Sequence, residues 1–195
     1  MKLRLIFQTA MPLTMWAALL THPALADPII SVQPSSKIVA GASAFSLEIA
    51  IANVVDLFAF QFDLGFDPLV LSATGTAEGA FLPGGGTTVP IPGTIDNIGG
   101  AITGTADALT GFSGVSGSGV LATVAFQSID DGTSPISLFN VLLLDSNLNG
   151  IAATIQDGTV EVSGISTVVP EPSTLVLLAA ALFGLRGLAR KNAAT

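Results

Sequence analysis

Between residues 27 and 164, apolar and polar positions alternate with a period of two, and no stretch carries a helical stripe of useful length. In Phe45-Ser46-Leu47-Glu48-Ile49-Ala50-Ile51 the Phe, Leu and both Ile side chains fall on one face of an extended chain. The next segment repeats the pattern with larger groups. Phe58, Phe60, Phe62, Leu64 and Phe66 share one face, while Ala59, Gln61, Asp63 and Gly65 share the other, so this stripe predicts a core wall. Further strands are expected at Ile29 to Gln33, Val70 to Thr74, Ala101 to Ala106, Val120 to Ser128, Ile136 to Leu144 and Gly158 to Val162, separated by Gly, Pro, Asn and Asp. Their lengths and spacing suit an all-β sandwich. Two Gly- and Pro-rich stretches, Leu82 to Gly93 and Gly111 to Gly119, are expected to be surface loops within one domain.

The two ends break the alternation. Lys2 and Arg4 precede an apolar stretch from Met11 to Leu20, and Ala24-Leu25-Ala26 places small residues at the positions that signal peptidase accepts. Residues 1–26 therefore read as a signal peptide with a short N-terminal helix, cleaved between Ala26 and Asp27. The apolar run falls below the roughly 20 residues needed to cross a bilayer. After a linker at 165–169, the segment 170–195 combines Pro170-Glu171-Pro172, an apolar run from Leu175 to Leu185 expected to be helical, and the cations Arg186, Arg190 and Lys191. The prolines bar a helix upstream, the apolar run holds about three helical turns, and the basic tail resists translocation. That order of parts fits transient membrane anchoring by 175–185 before removal. Pro-Glu-Pro before an apolar helix and a basic tail resembles the PEP-CTERM sorting signal. The resemblance implies a Gram-negative envelope, an exosortase acting near Pro170-Glu171-Pro172, and delivery to the cell surface or exopolysaccharide matrix.

Composition narrows the chemistry. All fourteen Asp and Glu lie between Asp27 and Glu171, and Lys37 is the one base in that interval. Such a domain repels phosphate backbones, which excludes nucleic acid as a partner and favours cationic ones. His22 and Trp16 are the only His and Trp and both precede residue 27, while Cys and Tyr are absent. The domain therefore cannot build a Ser-His-Asp or Cys-His nucleophile, lacks the side chains that zinc or copper prefer, and has no disulfide to staple it. Catalysis would fall to carboxylates, Ser/Thr or Lys37, and the chain is expected not to be an enzyme.

The stretch from Asn53 to Leu71, with its strand ending in Phe66-Asp67-Pro68 and the following Leu69-Val70-Leu71, resembles cohesin modules. Ser118-Gly119-Val120-Leu121-Ala122-Thr123-Val124-Ala125-Phe126 is similar to the family's penultimate core strand, and Gly158-Thr159-Val160-Glu161-Val162 to its closing strand. The likeness covers roughly Asp27 to Ser163. It implies a jelly-roll-like β-sandwich related to certain carbohydrate-binding modules, and a sheet face that in cellulosomal relatives binds dockerin.

Three constellations carry candidate chemistry. Asp145-Ser146-Asn147-Leu148-Asn149-Gly150 matches the opening of a calcium loop, with Asp145, Asn147 and Asn149 as oxygen donors, but Gln156 stands where a bidentate Glu belongs. The bland alternative, an Asn149-Gly150 hairpin turn, is the stronger expectation. Asp130-Asp131-Gly132 and Asp67-Pro68 read as turns. Asp63 and Asp67 could supply the two carboxylates of a glycosidase, yet nothing in their spacing selects the separation of about 5 to 10 Å that such enzymes need. The leading expectation is thus a non-catalytic surface module that binds a protein. The alternatives are exopolysaccharide binding, weakened by the lack of Trp and Tyr for sugar stacking, and a carboxylate glycosidase.

Overall fold

The computed structural model describes residues 26–165; the expected signal helix and the expected apolar helix at 175–185 lie outside them. The described part is all-β, as expected. Its strands are β1 (Ile29–Gln33), β2 (Ser36–Ala40), β3 (Ala44–Gly65), β4 (Leu71–Glu78), β5 (Thr94–Asp96), β6 (Ala101–Ala108), β7 (Val115–Ser128), β8 (Gly132–Asp145), β9 (Thr154–Gln156) and β10 (Gly158–Ser163), with a 3₁₀ turn at Leu82–Gly85.

The two expected strands at 45–51 and 58–66 are one continuous strand, β3, and this strand belongs to both layers of the sandwich. Its first half lies between β1 and β7, with β9 beyond β1 and β4 beyond β7. Its second half lies between β8 and β6, with β10 and then β2 beyond β8, and β5 beyond β6. The transfer takes place at Asn53 and Asp56, whose φ angles of 58° and 57° place them in the left-handed region that Asn and Asp tolerate best among side-chain-bearing residues. The β3–β7 register shifts on either side of Val54, so each irregular residue bends the strand as a β-bulge does.

That bend corrects the expected loop at Gly111 to Gly119, because Val115 to Gly119 already belong to β7. The main-chain N–H groups of Asn53 and Asp56 donate to Ser118 Oγ at 3.0 Å and Ser116 Oγ at 2.9 Å. The alternating small residues are therefore the half of a bulged pair that satisfies its partner's displaced donors. Gly119 also makes room for Phe81, since a Cβ there would lie 2.7 Å from the Phe81 ring.

Burial follows the alternation. Leu47, Ile49 and Ile51 from the first half of β3 and Phe60, Phe62 and Leu64 from the second half are buried, with Phe45 and Phe58 partly buried at the margins. Phe66 meets Phe126 edge-on with ring centroids 5.4 Å apart, joining the two layers. Phe62 and Phe126 are fully enclosed, each worth about 1.5–3 kcal/mol of burial. The Asp67 turn forms as expected: its Oδ1 accepts from Leu69 N at 2.9 Å and its carbonyl from Leu71 N at 3.0 Å. Asp130 and Asp131 sit in the connection from β7 to β8.

Candidate functional site

The outward side of the second layer is shaped by the size of its side chains. Residues 87–91 run antiparallel to β6 as an added edge, with Val89 N bonded to Ala108 O at 2.9 Å and Ile91 N to Ala106 O at 2.7 Å. Ala59 stands opposite both Ala108 and Leu144, and Gln61 opposite both Ala106 and Leu142. Two rungs therefore cross the sheet, Val89-Ala108-Ala59-Leu144 and Ile91-Ala106-Gln61-Leu142. Ala59, Ala106, Ala108 and the exposed Gln61 form the floor and branched aliphatic residues the walls, leaving a hollow of about 260 Å³. Val89, Ile91 and Leu142 are each about half exposed, at 56%, 53% and 47%. Phe139 extends the apolar surface beside Asp63 and covers the bare Cα of Gly65.

One end of this trough is fixed by Asp63, which is buried on the outward side of β3. Its Oδ1 accepts from Gly104 N and its Oδ2 from Asn140 Nδ2, both at 2.7 Å. Gly104 and Asn140 have φ of 72° and 50°, and the registers of β6 and β8 against β3 both shift beside Asp63. Asp63 thus pins two irregular strands to a third. It stands apart from Asp67, whose carboxylate serves its own turn.

At the other end, Asp56 Oδ1 accepts from Gly114 N at 2.9 Å and Oδ2 from Ser146 Oγ at 2.6 Å. These bonds, the Ser146 hydroxyl first, hold its pKa below the ordinary value. The expected calcium ligands lie next to it. Asp145 Oδ1 accepts from Asn147 N and Asn149 N, both at 2.8 Å, and Oδ2 accepts from Asn149 Nδ2 at 3.0 Å. These bonds lower the Asp145 pKa, that of the Asn149 amide most. The chain does reverse here, but the left-handed residue is Leu148, at φ 63°, rather than Asn149 or Gly150. Asp145 closes the loop over residues 146–148, which moves the turn's centre upstream. Among the described residues no group of three or more His, Cys, Asp or Glu is placed to hold a metal.

Asp107 is the site residue that the sequence reading missed. It stands opposite Phe60 across β3 and β6, so its side chain points into the sandwich, where it is 3% exposed. Burial first, and then the hydrogen-bonded carboxylate of Glu78 at the end of β4, raise its pKa from 3.8 to about 6. Of the other expected site residues, Ala26 and Asp27 are exposed ahead of β1. Ala24, Pro170, Glu171, Pro172, Arg186, Arg190 and Lys191 lie outside the described residues.

Comparison with known proteins bears on the whole chain. The cohesin domain model matches residues 30–162 and the PEP-CTERM protein-sorting motif matches residues 168–191. No curated protein matches significantly. Among solved structures, a non-cellulosomal cohesin from the hyperthermophilic archaeon Archaeoglobus fulgidus superposes with a TM-score of 0.59 at 18% identity, over 71% of this chain and 93% of that one. A chain of a type II cohesin–X-dockerin complex from Acetivibrio cellulolyticus gives 0.61 at 13% identity, over 70% of this chain and all of that one (100%). A chain of a type I cohesin–dockerin complex from Clostridium thermocellum gives 0.58 at 16% identity, over 71% and 100%. The structural likenesses establish a shared fold. With the family match spanning most of its length, this chain belongs to the cohesin domain family and carries a PEP-CTERM sorting motif.

Proposed function

We propose that this protein is a non-catalytic docking module displayed on the surface of a Gram-negative cell, and that its trough receives an aliphatic ridge on a protein partner. The observation that carries the reading is the trough itself. Exposed Val89, Ile91 and Leu142 wall a floor of three alanines and Gln61 on the outward side of the sheet, and apolar surface arranged in a shaped depression marks a binding site. The exposed walls are aliphatic; Phe60 beneath the hollow is turned into the core, and Phe139 is the exposed aromatic on the same side of the sheet. This favours a protein ridge over a sugar ring, which stacks on aromatic faces. The acidic balance of the domain favours Lys or Arg at the partner's rim, where they raise the rate of encounter. Family membership supports protein recognition, and the cohesin–dockerin complexes among the structural neighbours supply the precedent. The sorting motif supports processing by an exosortase on the way to the surface, and the small residues Ala24 and Ala26 after the apolar run support earlier cleavage by signal peptidase. The partner is a surface or secreted protein, with exopolysaccharide as the competing ligand.

The test is capture by the mature protein from the organism's secreted proteins and, in parallel, from its exopolysaccharide. The proposal expects one saturable protein that Leu142→Asp no longer retains. Retention by polysaccharide alone, unaffected by Leu142→Asp, would overturn it. Intact mass of the surface-located protein tests the sorting: loss of 175–195 is expected, and its retention would argue for a permanent anchor.

A further inference from the structure

We infer that Asp107 and Glu78 form a proton-operated latch on the Val89–Ile91 wall of the trough, closed while the two carboxyl groups share a proton and open when both are ionised. Its bearing on partner binding rests on the docking reading above; its existence does not.

The geometry begins with the two layers. Asp107 belongs to β6 in the second layer, and Glu78 ends β4, which is paired to β7 in the first. Their side chains meet across the open margin of the sandwich, beside a hollow of about 160 Å³ that Thr76, Thr105 and Pro92 also line. Asp107 Oδ1 accepts from Ala108 N at 2.8 Å. Asp107 Oδ2 is buried and has no donor among the described protein groups. A buried carboxylate oxygen without a donor is costly, and the group facing it is a second acceptor. A proton held between the two oxygens satisfies both. From β4 the Asp107 carboxyl meets Glu78, from the 87–93 segment it meets uncharged residues and the Val89 N–H, and from β7 the hollow is lined by Leu121 and Ala122. Among the described residues Glu78 is thus the other titratable group lining the hollow, and no Lys or Arg lines it. Lys37, the one base among the described residues, stands over Phe45.

Glu78 also reaches the wall of the trough, because its Oε1 accepts from the Thr88 hydroxyl. Thr88 adjoins Val89, and Val89 and Ile91 are the wall. While the proton is shared, β6, Glu78 and the 87–91 edge form one connected unit. When it leaves, two negative charges face each other in a confined hollow, and exposed Glu78 relieves the repulsion by turning to solvent and releasing Thr88. The 87–91 edge then loses its side-chain tie to Glu78 and keeps its main-chain bonds to β6, the bonds from Thr110 to the Thr87 carbonyl and, next to it, the Thr76 bond to the Pro92 carbonyl.

The experiment measures amide hydrogen exchange of residues 86–92 in the mature protein between pH 4.5 and 7.5, corrected for intrinsic exchange, with the Asp107 carboxyl followed by carbon NMR. Protection is expected to fall about tenfold across the Asp107 titration. Glu78→Gln, whose amide donates to Asp107 at every pH, and Asp107→Asn should both hold protection constant. Protection in the wild type that ignores pH would overturn the latch, as would a fall retained in Glu78→Gln. Protection restored at pH 7.5 by millimolar calcium would also overturn it, by making the pair a cation site. A pH-dependent wall together with partner affinity that Leu142→Asp does not change would uphold the latch and reject the docking reading.

Discussion

Asn140 donates its side-chain amide to Asp63 at 2.7 Å, at the place where β8 departs from regular extended geometry. The same carboxylate takes the Gly104 N–H from the opposite neighbour, so a single side chain registers three strands under the trough. Asp63→Ala removes both bonds and leaves the Asn140 amide and the Gly104 N–H without protein partners. Denaturant unfolding is expected to show a loss of about 1–3 kcal/mol, chiefly from the Gly104 N–H, because the exposed Asn140 amide then bonds to water. An unchanged midpoint would mean that Asp63 does not hold the register.

Charge placed in the trough should separate binding from folding. Leu142→Asp and Ile91→Asp alter exposed side chains, so stability is expected to stay within about 0.5 kcal/mol of wild type. Partner affinity should fall at least tenfold, as a central apolar contact contributes about 1–2 kcal/mol or more. Parallel melting curves and binding isotherms of both variants make the check.

The titrating groups act in two pH windows of opposite sign. Asp107, raised from 3.8 to about 6 by burial and by Glu78, binds its proton more tightly when folded. Its stabilising contribution is complete below about pH 4 and is lost as pH rises through about 6. Asp56, Asp96 and Asp145 are lowered by the hydrogen bonds they accept, those from the Ser146 hydroxyl, Gly99 N–H and Asn149 amide being largest. Their contribution is present above 3.8 and is lost as pH falls below it. Thermal unfolding should therefore show a maximum in Tm between about pH 4 and 5. Asp107→Asn should flatten only the alkaline descent.

Gly79 approaches β7 so closely that a Cβ on it would lie 2.1 Å from the Val120 carbonyl oxygen. Gly79 N and Phe81 N bond to Leu121 O and Val120 O, so backbone separation would break this ladder. Gly79→Ala is expected to destabilise the domain by about 2 kcal/mol or more. Gly84→Ala, where nothing lies within 4 Å of the added atom, is the control and should be near neutral.

The loop at Asp145 is closed by hydrogen bonds from the Asn147 and Asn149 main chain and the Asn149 amide, so Asp145→Ala should lower Tm by the same amount in chelator and in calcium. A rise in wild-type Tm with millimolar calcium that Asp145→Ala abolishes would instead assign a cation to Asp145, Asn147 and Asn149.

The core was legible because Phe60, Phe62 and Leu64 repeat every second residue, a signal independent of what pairs with them. β2, β5 and β9 were not legible. Thr154-Ile155-Gln156 is exposed throughout and owes its extended form to pairing with β1, a partner more than a hundred residues earlier. The trough left one trace, the unbroken apolar run Val141-Leu142-Leu143-Leu144, which cannot place every side chain inward. Leu143 goes to the core, and Leu142 and Leu144 go to the trough. Asp107 left none. A lone acid among small residues reads as solvent-facing, and only its register with Phe60 turns it inward.

β3 also sets the order in which the molecule can become complete. Its four neighbours are β1 ahead of it in the chain and β6, β7 and β8 behind it. A growing chain therefore leaves the Phe60–Phe62 half of β3 exposed along its β8 edge until Asp145 has been made, even though β1, β6 and β7 are already present. Neither layer can close around half of a shared strand, so no early half-domain shelters that surface. The nascent protein depends on being kept apart from other chains until β8 arrives, and then folds as one unit.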